Sequence, residues 1–349
     1  MNNDDIRSRR KDAHVEHVLS QDRQIENDFG RIHLIHQSIP RYDLLEIDLS
    51  AEFGSFNWKT PIYINAMTGG SDWTKSINEK LAVVAEETGL PMALGSMHAA
   101  IKDESLKHTF TIAREMNRNG FLIANVGADV PLKGAQQAVE LIDAQALQIH
   151  VNAPQELIMP EGERTFKSWL NNIEKIIKHI EVPVIVKEVG FGMSQETINN
   201  LYEVGVKHID ISGRGGTNFA VIENQRRAHQ EMDYMSSWGQ STVITLLESK
   251  SYQHKISVLA SGGVITPLDA VKCLALGAEA VGMSKNLLEH VMHHGVDETV
   301  QYVENFIYQM KKISVLINSQ NIKEIQQSPR YLDQTLTHWL RQRVGMSNE

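Results

Sequence analysis

A chain of 349 residues with a formal net charge of −9 at pH 7 can hold one barrel with additions or two smaller domains. Apolar residues make up 42% and charged residues 22%, ordinary for a globular protein with a large core. The acidic balance argues against a nucleic-acid partner, which demands clustered Lys and Arg. The one cysteine, Cys273, excludes an intrachain disulfide and a Cys-rich metal site. The first 21 residues are polar and charged rather than a signal peptide. No run of about 18 apolar residues offers a membrane span, so a cytoplasmic protein without a membrane partner is expected.

In chain order, residues 6–19 read as a helix and residues 52–57 as an elaboration leading into the main fold. Eight short apolar runs follow, at residues 61–65, 92–95, 121–125, 146–150, 183–187, 208–212, 258–261 and 280–284. Each reads as a strand buried on both faces. Helical stretches lie between them, as at 76–87, 165–179, 194–203 and 266–276. Strands alternating with helices imply parallel pairing through crossover helices. Eight such units favour a closed (β/α)8 barrel, a TIM barrel, over an open sheet. Residues 298–316 and 322–340 read as two further helices. The expected organisation is one domain over 1–349: an N-terminal extension to residue 60, barrel strands over 61–284 and C-terminal helices over 285–349.

Chemistry in such a barrel sits where strands end and βα loops begin. The first strand ends Asn65-Ala66-Met67-Thr68-Gly69-Gly70, where glycines allow backbone to approach a flat ligand or simply form a tight turn. The second ends Gly95-Ser96-Met97-His98 and the third at Asn125, whose amide can pair with a ring's amide edge or start a loop. The fourth carries the densest polar run, His150-Val151-Asn152-Ala153-Pro154-Gln155-Glu156. His150 and Asn152 share a side of an extended segment. Glu156 can contribute one carboxylate to a Mg2+ ion that keeps waters and ligand phosphates, or cap the next helix. The fifth closes Val186-Lys187-Glu188; a lysine ending an apolar run needs an anionic partner or must snorkel to solvent. The sixth runs into Ser212-Gly213-Arg214-Gly215-Gly216-Thr217-Asn218, and the last two end Ser261-Gly262-Gly263 and Val281-Gly282-Met283-Ser284. Glycine-rich loops after the last two strands are the usual phosphate site of a barrel. Outside the barrel, Arg10 and His14 share a helix face, which reads as a solvated basic turn unless it folds over the mouth.

These residues resemble the type II isopentenyl diphosphate isomerases along nearly the whole chain. The matching pieces are Arg10-Lys11-x-x-His14, Met67-Thr68-Gly69-Gly70, Gly95-Ser96, His150-x-Asn152-x-x-Gln155-Glu156, Lys187-Glu188-x-Gly190, Gly215-Gly216-Thr217-Asn218 and Ser261-Gly262-Gly263. The strand-four run and the basic N-terminal motif are specific to that family; the glycine-rich pieces are shared with other FMN barrels. The resemblance implies interconversion of isopentenyl and dimethylallyl diphosphate with reduced FMN, NADPH as reductant and Mg2+ on the diphosphate, in a homo-oligomer, a tetramer or octamer. It implies FMN contacts at Ala66, Met67, Thr68, Ser96, Asn125, Lys187, Ser212 and Thr217, with Gly262, Gly263, Gly282 and Met283 at its phosphate. It gives Arg10, Lys11, Ser96, His98 and Gln155 to the substrate, His150, Asn152 and Gln155 to the catalytic centre, and Glu156 to the metal. Reduced flavin, at N5, would deliver or relay the proton, since Gln155 is neither acid nor base at neutral pH. One departure is that relatives carry Gln-Arg where this chain has Met97-His98.

Three rival readings share parts of this pattern. An FMN oxidoreductase of the hydroxy-acid oxidase or dihydroorotate dehydrogenase kind would need an oxidising base and a carboxylate clamp, and the His-x-x-Arg pair of such oxidases is missing late in the barrel. A nucleotide dehydrogenase of the inosinate type would need a loop cysteine, whereas Cys273 falls in a predicted helix. A non-catalytic ligand-binding barrel would have no use for the costly polar groups of strand four.

Overall fold

A computed structural model describes residues 27–54 and 56–345, with Asp12, Val15, Glu16, Leu19 and Ser20. Arg10, Lys11 and His14, and with them the proposed basic clamp, lie outside the described residues.

Each of the eight apolar runs forms a parallel strand: β1 (Ile62–Ile64), β2 (Met92–Ala93), β3 (Leu122–Gly127), β4 (Ala146–His150), β5 (Val184–Lys187), β6 (His208–Asp210), β7 (Ser257–Ser261) and β8 (Ala280–Met283). They close in the order β7-β8-β1-β2-β3-β4-β5-β6, the (β/α)8 barrel the sequence implies. Strands such as Val184-Ile185-Val186 are buried on both faces, because β-branched side chains fill the barrel on one side and pack beneath helices on the other. Strand β2 is short for a local reason. Its chain turns inward so that the Gly95 N–H donates to the Thr68 carbonyl at 2.9 Å, an approach so close that a Cβ at Gly95 would lie 2.4 Å from that oxygen.

The elaboration before β1 is a hairpin of Ala51–Phe53 and Phe56–Trp58 against the barrel's N-terminal end. Phe56 and Trp58 both meet the ring of Phe121 edge-on, at 4.8 and 5.4 Å between centroids, geometry that aromatic quadrupoles favour. The hairpin thus covers part of this end, beside a cavity of about 630 Å3 lined by Glu52, Asn57, His208, Ser257 and Glu279.

Cys273 is buried in the helix Pro267–Ala275, ahead of β8, as the sequence indicates. The helix expected over 298–316 is present within Lys285–Leu316, interrupted at Gly295 with φ +83°. The helix expected over 322–340 is not continuous. It splits into Ile322–Gln327 and Gln334–Arg343 around a strand, Arg330–Leu332. Pro329 cannot extend the first helix, and the Ser328 hydroxyl closes its last turn onto the Ile325 carbonyl. The freed strand pairs antiparallel with Ile32–Leu34, which ties the segment before the barrel to the one after it. Helix Gln334–Arg343 is fixed to the barrel by the fully buried Glu248, which accepts from Trp339 Nε1 at 2.6 Å and Arg343 Nε at 3.1 Å.

Candidate active site

Side chains from alternating positions of neighbouring strands point into the barrel, and near its C-terminal end they are polar. Tyr63 Oη and Asn65 Nδ2 each donate to Asp210 Oδ2 at 2.7 Å, while Ser261 Oγ donates to Asp210 Oδ1 at 2.7 Å. Gln148 reaches Asn65 Oδ1 at 3.3 Å. Burial, then the Asp210 charge, push the Tyr63 phenol well above its usual range, so it stays a donor. The register sets His150 beside Lys187 and Lys187 beside Asp210, which continues this polar layer around the wall.

Lys187 is 6% exposed, and its Nζ donates to the Glu188 carbonyl at 2.6 Å. It is therefore buried and not snorkelling. Burial lowers its pKa, opposed by Asp210 and Glu188; a buried ammonium favours an electron-rich ligand. Glu188 Oε2 accepts the N–H groups of Val189, Gly190, Phe191 and Gly192 at 2.6 to 3.2 Å. Burial pushes this carboxyl up to about 7, against the pull of the Phe191 and Val189 N–H groups and the Lys187 charge. Four amide donors on one oxygen shape the loop after β5 into part of the cavity wall.

The cavity occupies the C-terminal mouth and measures about 660 Å3. Of the residues expected at FMN, Ala66, Met67, Thr68, Lys187, Ser212, Thr217, Gly262, Gly263, Gly282 and Met283 line it. Its closed side is made of backbone. Gly262 and Gly263 have φ of +97° and +70°, and a Cβ on them would lie 2.0 Å from the Gly213 oxygen and 2.6 Å from the Gly215 carbonyl group. The loops after β6 and β7 thus pack main chain to main chain, which leaves amide-rich concavity where an anion fits. The first turn of the helix at Lys285 adds a positive dipole end. A cradle of this kind beside a buried lysine and a polar floor fits the phosphate and ring of FMN.

The two remaining FMN expectations, Ser96 and Asn125, do not line this cavity. Asn125 lies deeper, 4% exposed, and acts on a neighbour. Its Nδ2 donates to the Leu94 carbonyl at 3.1 Å, which turns its Oδ1 toward His150 Nδ1 at 2.9 Å. In the neutral ring His150 must then carry its proton on Nδ1 and present Nε2 as an acceptor. Met97 is fully buried in the core, and His98 begins the short helix His98–Lys102; position 97 is thus a packing position.

Of the strand-four run, Asn152, Gln155 and Glu156 meet one another, outside the residues that line the cavity. Asn152 Nδ2 donates to Gln155 Oε1 at 3.3 Å and Glu156 Oε1 at 2.9 Å. Gln155 Nε2 donates to Glu223 Oε1 at 2.9 Å, so its amide is held at both ends. Glu156 Oε2 accepts the Glu163 N–H at 2.8 Å, bracing the following loop rather than capping its own helix; the N-cap of Ala153–Ile158 is Asn152. No group of three His, Cys, Asp or Glu side chains among the described residues could enclose a metal, so a cation at Glu156 would need ligands from water and substrate.

Asp210, Asn65, Glu223 and Arg226 carry no role among the residues expected at the site. Asp210 was detectable as a carboxylate inside an apolar run, a costly residue there. Glu223, fully buried and paired with Arg226, sits in an ordinary helical pattern that gave no signal.

A family model for FMN-dependent dehydrogenase matches residues 114–332. Among solved structures, the fold is similar to a mandelate oxidase variant with a monooxide FMN adduct (TM-score 0.66, 14% identity, 95% of this chain and 100% of that one). It is also similar to a flavocytochrome b2 variant with benzoylformate (TM-score 0.66, 18% identity, 93% and 84%). At such identities the likeness is one of fold. Curated relatives named isopentenyl-diphosphate delta-isomerase are much nearer. Those of Staphylococcus epidermidis and Staphylococcus saprophyticus are 54% identical over 340 residues, covering 97% of this chain and 97% and 98% of theirs. That of Staphylococcus aureus is 54% identical over 337 residues, covering 97% of both. The chain therefore belongs to the isopentenyl-diphosphate delta-isomerase family, built on the FMN-dependent dehydrogenase barrel.

Proposed function

We propose that this protein interconverts isopentenyl and dimethylallyl diphosphate with FMN bound at the barrel mouth. The observation that carries this reading is the 54% identity, over 97% of the chain, to proteins named for that activity. The oxidase reading has the FMN-dependent dehydrogenase family match and a shared fold behind it, and no relative of comparable identity. Supplying isopentenyl diphosphate, FMN, NADPH and Mg2+ without oxygen should yield dimethylallyl diphosphate; reduction of the flavin by a 2-hydroxy acid with no isomerisation would overturn the assignment.

Reduced FMN, once bound, supplies the acid–base chemistry at an alkene carbon that ordinary side chains perform poorly. The chain's own residues bind, orient and shield. Lys187 faces the flavin side of the cavity as a buried cation and favours charge accumulating there. Gly262, Gly263, Gly282 and Met283 hold the phosphate end. Asn152 and Gln155 form a fixed amide pair against which the alkene is positioned, and His150, oriented by Asn125, stands beside Lys187. NADPH is the reductant in this scheme. No helix among the described residues is long and apolar enough to cross a membrane.

Glu156 is assigned to Mg2+ as its one protein carboxylate. Glu156→Gln keeps shape but removes charge, and should raise the Mg2+ concentration needed for half-maximal turnover by about tenfold, from the removal of one charged ligand interaction. The flavin spectrum should not change. Parent activity at limiting Mg2+ would reduce Glu156 to its bond with the Glu163 N–H.

Arg10 and Lys11 are assigned to the substrate diphosphate, with support from the described part of the same segment: Val15 and Ser20 line the cavity, and Asp12 accepts from Ser71 Oγ at 2.5 Å. Arg suits bidentate contact with phosphate oxygens, and Lys acts as a point charge. Replacing both by Ala should raise KM for isopentenyl diphosphate about a hundredfold, because the diphosphate would give up the charge-assisted hydrogen bonds of both side chains. FMN affinity should change little. An unchanged KM after deletion of residues 1–11 would return the segment to a solvated basic turn.

A further inference from the structure

We propose that Asp210 is a positioning residue: from inside the barrel its carboxylate fixes the strand ends that frame the flavin cavity and serves as the counter-charge of Lys187. The inference rests on the FMN reading of the site.

Asp210 is fully buried on β6. Its four donors come from three places on the rim. Tyr63 and Asn65 belong to β1 and its end, Ser261 closes β7, and the Ser212 N–H, at 3.2 Å from Oδ1, starts the loop after β6. Each leads directly into a cavity-lining segment. Asn65 adjoins Ala66-Met67-Thr68, with its Oδ1 accepting the Ala66 N–H at 2.8 Å. Ser261 adjoins Gly262-Gly263. Ser212 itself lines the cavity and has φ +26°, a conformation that non-glycine residues hold only when neighbours enforce it. One carboxylate therefore ties three loops together, with its four donors filling the acceptor sites of its two oxygens.

The electrostatic half follows from the register, which pairs Lys187 with Asp210 on adjacent strands. Burial pulls the Lys187 pKa down, and Asp210 is the stronger of the two influences that pull it up. Among the described residues, the other titratable groups around Lys187 are Glu188 beside it in the chain, His150 on the neighbouring β4, and Tyr63 bonded to Asp210. If Asp210 balances Lys187, its removal both takes away a negative charge below the flavin and lets the buried ammonium give up its proton at a lower pH.

The experiment measures FMN affinity and the midpoint potential of bound FMN from pH 6.5 to 9, in the parent and in Asp210→Asn. Asn presents one oxygen and one NH2 where Asp presents two oxygens, so at least one donor of the cluster loses its acceptor. FMN affinity should fall about tenfold or more, as when a buried charged hydrogen bond is removed. At pH 6.5 the variant's potential should lie above the parent's, since a negative charge has gone. As pH rises it should fall earlier than the parent's, where Lys187 deprotonates. A purely structural role would weaken FMN binding but leave the two potential curves parallel, and that result overturns the proposal, as does a variant equal to the parent in both measurements. Should Asp210→Asn not fold, Tyr63→Phe removes one donor with little change of shape. The less-satisfied carboxylate should then shift the potential to more negative values, and no shift overturns the proposal. A parent protein that binds no FMN would instead defeat the FMN reading.

Discussion

Gly262→Val is expected to abolish FMN binding while the barrel still folds. The position has φ +97°, and its Cβ would fall 2.0 Å from the Gly213 oxygen, a backbone atom that cannot swing aside like a flexible side chain. To relieve the contact, the loops after β6 and β7 must separate, and those loops are the closed side of the cavity. Strain of about 1–3 kcal/mol for a non-glycine residue in such a conformation adds to the disruption of the cradle, so an FMN affinity about a hundredfold lower or worse is expected. Flavin content after purification and fluorescence titration with FMN read the effect. Gly205→Ala supplies the control: φ is +94° there too, but a Cβ would meet nothing within 4 Å, so it should lose stability and keep FMN. Full flavin occupancy in Gly262→Val would remove the phosphate from this loop.

Lys187→Ala should make bound FMN harder to reduce. The lysine is 6% exposed and on the cavity wall, so its charge acts in a poorly screened environment. Taking a charged interaction of about 1.5–3 kcal/mol from the reduced state corresponds to about 30–60 mV for a two-electron couple. Weaker FMN binding and a turnover about a hundredfold lower, the scale for removing one group that stabilises developing charge, should accompany it. Spectroelectrochemical titration measures the potential. A potential equal to the parent's would mean that Lys187 serves its neighbours Glu188 and Asp210 and not the flavin.

The barrel was readable because eight strands buried on both faces leave eight mainly apolar runs, and the loops after them carry glycines for a physical reason, the main-chain contact of Gly262 with Gly213. What escaped was either tertiary or broken by local chemistry. The helical pattern over 322–340 continued through Ser328 and Pro329, yet proline ended the helix and a strand formed because Ile32–Leu34 lay open beside it. Asn125, expected at FMN, also orients His150, a contact between neighbouring strands that strand periodicity does not encode. The contact of Gln155 with Glu223 spans 68 positions of sequence, and only the closed fold brings these residues together.

An isomerase performs no net oxidation, so the decisive measurement is the ratio of dimethylallyl diphosphate formed to NADPH consumed, without oxygen, by the FMN-loaded protein. An isomerase needs NADPH once to bring its flavin to the reduced state, and many product molecules should then form per NADPH. A ratio of one product per NADPH, or NADPH consumption with no isomer formed, would contradict the assignment and make this barrel an oxidoreductase.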